Sequence, residues 1–160
     1  MNSLTARNLC YGCQETSPPN SLPPAADKRC GITLDPTPES TRKARDFTAA
    51  TLERWDLEPL IQDAVIVASE LVTNAIRHAS DCAGESAGNP PVGLVWQFTP
   101  ERVVCVVTDH SSRPPVLVLP GPDAECGHGL QIVQALTAGW GWAMTRPGEK
   151  TVWAALVSGP

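Results

Sequence analysis

Four groups of residues in this sequence have the types and spacing that chemistry uses. Glu70, Asn74 and His78 recur at i, i+4 and i+8, which on a helix stacks a carboxylate, an amide and an imidazole along one face, with Arg77 beside them. A solvated helix face shows such a stripe too. Here it runs through an apolar context, where unsatisfied polar groups are costly and need partners. Asp109 follows a β-branched run and opens a long irregular segment. A carboxylate there can accept a hydrogen bond from an exocyclic amine, or it can turn the chain. Gly127-His128-Gly129-Leu130 stands at the start of a short amphipathic segment. Bare backbone amides at a helix start, with no Cβ in the way, suit an approaching anion. Gly148-Glu-Lys-Thr151 leads into the last apolar run.

The elements that must position these groups follow from periodicity. Ile32–Leu34 reads as a short edge strand stopped by Asp35-Pro36. Glu39–Trp55 reads as a helix capped by Ser40 or Thr41, with Ala44, Phe47, Thr48 and Leu52 on one face. Leu57–Ala79 is a stronger helix, its stripe Ile61, Ala64, Val65, Ala68, Leu71, Val72, Ala75 and Ile76. Val92, Leu94, Trp96 and Phe98 alternate at strand period. Arg102–Thr108 is a continuous β-branched run, expected to be a central strand buried on both faces. Asp109–Cys126 has four prolines (Pro114, Pro115, Pro120, Pro122) and no helical period, so it is expected to be a long loop. Leu130, Ile132, Val133 and Leu136 form a short helix. Gly139–Thr145 and Lys150–Val157 read as paired strands joined through Arg146-Pro-Gly-Glu149, whose Pro-Gly suits a type II turn. The expected fold class is an α/β (α+β) two-layer sandwich, a mixed, mostly antiparallel sheet with helices on one face. No strand–GxGxxG–helix unit and no GxxxxGK[ST] loop is present, which disfavours the two commonest nucleotide folds.

Composition bounds the class. A chain of 160 residues suggests one domain, and an apolar fraction of 42% is enough for a core. Against 17 Asp+Glu stand 12 Lys+Arg, a net charge of −5, which disfavours direct nucleic-acid binding. No apolar stretch approaches the ~20 residues of a membrane span, and the N-terminus lacks the apolar core of a signal peptide. A cytoplasmic protein with reduced cysteines and no membrane contact is expected. Pro18, Pro19, Pro23, Pro24, Pro36 and Pro38 crowd the first 40 residues. Residues 1–30 are therefore expected to be a flexible arm, and 31–160 the folded domain. Cys10 and Cys13 form a CxxC pair with only Cys30 nearby, short of the ligands a zinc site needs, so incidental thiols are the plainer reading. Cys105, inside an apolar run, is expected in the core. Trp140 and Trp142 share one strand face and are expected to pack under the helices rather than form a binding surface. Arg42-Lys43-Ala-Arg45 reads as a solvated face or as a patch for an acidic partner.

Taken together, Ala68-Ser-Glu70-Leu-Val-Thr-Asn74-Ala-Ile-Arg-His78-Ala resembles the N-box of the histidine-kinase-like (GHKL) ATPases. Asp109 resembles their adenine-binding aspartate, Gly127-His-Gly129-Leu130 their second glycine box, and Gly148–Ala154 their closing segment. The chain looks most like the small anti-sigma-factor serine kinases and related stand-alone ATP-binding regulators, over about Ile32 to Val157. The resemblance implies ATP and Mg²⁺ as cofactors. It implies Asn74 as the Mg²⁺ ligand and Glu70 as the general base, or the group that orients the attacking hydroxyl. Arg77 and His78 would line the mouth near ribose or phosphate. Asp109 would read the adenine amino group, with Thr151 nearby. Gly127, His128, Gly129 and Leu130 would approach the phosphates, and Ser111–Cys126 would be the ATP lid. Implied partners are a sigma factor or an anti-sigma antagonist phosphorylated on serine, and two copies of the chain could pair. The resemblance departs in two places. No glycine follows Asp109 in Asp109-His-Ser-Ser-Arg-Pro-Pro, and no Lys or Arg lies between Arg113 and Gly127. A regulatory module that binds nucleotide weakly and acts by protein contact is the alternative. A sensor histidine kinase is disfavoured, because the three histidines (His78, His110, His128) all fall in or beside these motifs.

Overall fold

The computed structural model describes residues 26–82, 88–115 and 128–158. Most of the expected arm, with Cys10 and Cys13, lies outside the described residues, as do Gly127 and most of the expected lid. Among the described residues the order is β1 (Lys28–Leu34), α1 (Glu39–Arg54), a 3₁₀ turn (Glu58–Leu60), α2 (Ile61–Cys82), β2 (Val92–Thr99), β3 (Arg102–Asp109), α3 (Gly129–Leu136), β4 (Gly139–Arg146) and β5 (Glu149–Val157). The strands form one sheet in the order β1-β2-β3-β5-β4, every pairing antiparallel. With three helices against it, this is the expected α/β sandwich of the histidine-kinase-like ATPase fold.

The core lies between the helices and one sheet face. Ala44, Thr48 and Leu52 of α1, and Ala64, Val67, Ala68, Leu71, Val72 and Ala75 of α2, are buried at steps of three and four. By length and hydropathy alone Glu58–Ala79 could cross a membrane. In the fold its apolar stripe instead shares one core with Leu94, Trp96, Cys105 and Trp140. Trp96 and Thr48 are both fully buried, and the indole Nε1 donates to Thr48 Oγ1 at 2.9 Å, which satisfies both polar atoms. Trp140 and Trp142 are buried in the same core, and Cys105 is fully buried, its thiol pushed well up by desolvation. β3 is the central strand, with Val103–Val107 buried on both faces as its β-branched run predicts. The opposite sheet face carries a smaller cluster of Val104, Val106 and Ala155 with Val95 and Trp153.

Three local expectations change. β1 starts at Lys28 rather than Ile32, because its pairing with β2 runs on from Leu34↔Val92 to Lys28↔Phe98. Neither Ser40 nor Thr41 caps α1, which begins at Glu39 after Pro38 with no side-chain cap. The Ser40 hydroxyl turns back to the Asp35 carbonyl, and Thr41 Oγ1 meets Thr73 Oγ1 of α2 at 3.3 Å. The second helix is entered through the 3₁₀ turn at Pro59. The C-terminus of α1 is a Schellman turn: Leu57 N donates to Leu52 O and Asp56 N to Glu53 O, both at 3.0 Å. Asp56 holds the left-handed position (φ 59°) that glycine usually takes. Between β4 and β5, Gly148 at φ 75° fits the type II turn read from Pro-Gly.

Candidate functional site

α2 carries the site along one face. Glu70 and Asn74, one turn apart, are half-buried and both face the start of α3. A Cβ on Gly129 would stand 2.5 Å from Glu70 Oε2 and 3.5 Å from Asn74 Nδ2, so the glycine is what lets α3 come down onto the N-box. α3 has no side-chain cap; it begins from exposed His128 and is tied back by Ile132 N donating to His128 O at 3.1 Å. A carboxylate and an amide thus meet the N-terminus of a helix, where negative charge is favoured. Leu130 is buried beneath them.

One turn further along α2, His78 reaches the ends of β3 and β5. Asp109 and Lys150 are cross-strand partners there, and both are buried. Lys150 is 1% exposed, and three acceptors surround its ammonium: His78 Nδ1 at 3.0 Å, the Arg113 carbonyl at 2.7 Å and Asp109 Oδ2 at 3.5 Å. Lysine has three N–H donors and no acceptor, so its donor capacity is filled and His78 must accept on Nδ1. Asp109 Oδ1 accepts from Ser111 N at 2.8 Å, and Ser111 Oγ accepts from Arg113 N at 3.1 Å. These two side-chain-to-backbone turns shape the segment after Asp109 without glycine, which accounts for the glycine-less sequence there. Burial pushes the Asp109 carboxyl above its ordinary range; the Lys150 charge, the Ser111 amide and His78 oppose that rise.

Between the two ends lies a pocket lined by Leu71, Asn74, Ala75, His78, Asp109, Pro115, Leu130, Lys150 and Val152. Its remaining volume is ≈ 10 Å³, about what a single water needs (~10–15 Å³). The two ends therefore fit a nucleotide differently. The Glu70–Asn74–Gly129 end offers side-chain oxygens and a helix N-terminus of the kind phosphates and a hard cation use. Among the described residues no group of three or more His, Cys, Asp and Glu could hold a metal, so Mg²⁺ would rest on Asn74 with water and the ligand's own oxygens. The Asp109 end does not admit a purine in this arrangement.

Glu70, Asn74, His78, Asp109, Gly129 and Leu130 are brought to one locus. Arg77 is exposed and takes no part in the pocket lining. Thr151 is displaced by strand alternation. Val152, Ala154 and Leu156 point into the helix-side core, so Thr151 points to the other face, where its Oγ1 meets Thr108 Oγ1 at 3.1 Å. Lys150, of core parity, takes the place expected for Thr151. Sequence reasoning passed over it because the motif drew attention to the threonine; the two-residue period of β5 carried the signal.

Comparison with curated proteins finds no match. A family model, the histidine kinase-like ATPase domain, matches residues 34–156, from the end of β1 to the end of β5. With the sheet order, the N-box on α2 and the close approach at Gly129 in agreement, the chain belongs to the histidine kinase-like ATPase domain family.

Proposed function

We propose that the chain is an ATP-binding regulatory domain that acts on a protein partner, in the manner of the anti-sigma-factor serine kinases it resembles. The observation that carries this is the convergence of Glu70 and Asn74 on the N-terminus of α3 at Gly129, which has no side-chain cap. A kinase needs a carboxylate beside an amide oxygen at an anion-favouring helix end, so that one can take a hydroxyl proton while the other holds Mg²⁺ on the phosphates. In this reading the partner is a sigma factor or an antagonist bearing the serine, and the setting is the cytoplasm. Exposed Arg42, Lys43 and Arg45 on α1 offer the charge an acidic partner would meet.

Calorimetry with ATP, with and without Mg²⁺, tests the binding half. Wild type is expected to bind more tightly with Mg²⁺, and Asn74→Ala to lose that gain about tenfold or more. Affinity indifferent to both Mg²⁺ and Asn74 would sink the assignment. The transfer half is tested with labelled ATP and serine-bearing antagonist proteins, where Glu70→Ala is expected to abolish labelling of the partner. A second reading, a regulator that acts by contact without transfer, is supported by the closed Asp109–Lys150 end. It predicts partner binding that survives Glu70→Ala unchanged.

A further inference from the structure

We infer that Lys150 is an internal occupant of the base pocket. Its ammonium competes with nucleotide for Asp109, and so it sets how tightly the protein binds ATP. The inference rests on the nucleotide-binding reading of the site and adds a residue which that reading did not contain.

Three features carry it. First, position: Lys150 is the cross-strand partner of Asp109, and strand alternation directs it into the pocket while Thr151 faces away. Second, occupancy: the side chain is almost fully buried, and the space left beside it is ≈ 10 Å³, too little for any purine ring. Third, competition: each acceptor a purine amine would seek already holds a donor. Asp109 Oδ1 holds the Ser111 amide, Asp109 Oδ2 faces the ammonium, and His78 Nδ1 and the Arg113 carbonyl hold its other protons. A base entering the pocket must therefore break an ion pair and two hydrogen bonds before it makes its own. Lys150 can leave because its charge sits on a four-carbon flexible stem, whereas the Asp109 carboxylate is tied to the backbone by Ser111. Nucleotide affinity is then the difference between two occupants of one carboxylate. Anything that offers the ammonium a better site, such as the phosphates of the nucleotide or a partner's carboxylate, would favour binding.

The test compares ATP affinity in wild type, Lys150→Thr and Lys150→Arg, by calorimetry with millimolar ATP and Mg²⁺. Lys150→Thr removes the charge and most of the bulk but leaves a hydroxyl to donate to Asp109, so the carboxylate is not abandoned. It is expected to bind ATP at least tenfold more tightly than wild type. Lys150→Arg keeps a cation in the pocket and is expected to show no gain. In wild type, ATP is also expected to shift the ¹⁵N resonance of His78 Nδ1, as the ammonium leaves it. Weaker binding by Lys150→Thr would make Lys150 a ligand of the nucleotide and overturn the proposal. Equal affinity in all three proteins would leave nucleotide binding standing and remove Lys150 from it. Failure of all three to bind, each shown folded by thermal melting, would end both readings together.

Discussion

The two ends of the site stand one helical turn apart on α2 and solve opposite problems. At the α3 end, Glu70 and Asn74 are half-buried and are drawn together by a backbone that can approach because Gly129 has no side chain. At the sheet end, Asp109 and Lys150 are buried, and each finds polar partners inside the chain. Burial explains the contrast. A lone charge between β3 and β5 would be expensive, so the chain supplies a counter-ion. A half-exposed carboxylate can be served by water and stays available. One end presents its polar groups, and the other consumes them.

That contrast sorts substitutions by what they should damage. The largest effect is expected from Glu70→Gln at the presenting end: on the proposed kinase reading, phosphate transfer falls by about 10²–10⁴-fold while ATP affinity stays within about threefold. A parallel loss of affinity would break the division of labour. Next comes truncation at the consuming end. Lys150→Ala leaves Asp109 without its partner and is expected to cost about 3–5 kcal/mol in urea unfolding, whereas Glu70→Ala should cost under ~0.5 kcal/mol. Similar costs for the two would show that burial does not separate the ends. The tight glycines sharpen the point at a smaller scale. A Cβ on Gly141 would lie 2.8 Å from the Trp153 ring, a rigid bicycle that must shift as a whole, so Gly141→Ala is expected to lose about 1–3 kcal/mol. Gly129→Ala meets only the flexible tip of Glu70; it should melt near wild type yet lose transfer, because the carboxylate is pushed aside.

The smallest effect is a pH slope. Burial raises the Asp109 carboxyl, against the pull of Lys150, the Ser111 amide and His78. The folded chain then keeps a proton that the unfolded chain, titrating near ~3.9, has released. With more protons bound in the folded state, stability falls as pH rises from about 4 through the raised Asp109 value. Melting temperatures taken across that window should show a downward slope in wild type and a flatter one in Asp109→Asn.

Much of this fold was legible in the sequence because period and burial coincide. The β-branched Arg102–Thr108 run is the central strand, and the apolar stripe of α2 is the helix side of the core. That Glu70, Asn74 and His78 share one face of α2 was legible for the same reason, since their spacing fixes a helical face. What was not legible depended on partners distant in sequence. Ser40 looked like a cap and instead bonds back to the Asp35 carbonyl. Val67 was missing from the expected stripe although it is fully buried. Thr151 had the right type for the base end, but only the register of β5 against β3 shows that its neighbour Lys150 points there. The shape of the chain after Asp109 was equally hidden, because two side-chain turns replace the glycines that a motif would announce.

The placement of Trp142 has an optical consequence. Its register partner is Val152, a wall of the base pocket, and its indole is buried in the adjoining core. Trp153, one residue on from Val152, lies on the opposite face across Gly141. The hairpin therefore carries three of the chain's five tryptophans, Trp140 and Trp142 on the core face and Trp153 on the other. A variant that keeps Trp142 and carries phenylalanine at the other four would isolate the emission of the indole paired with Val152, and the chain could report events at that pocket without a dye.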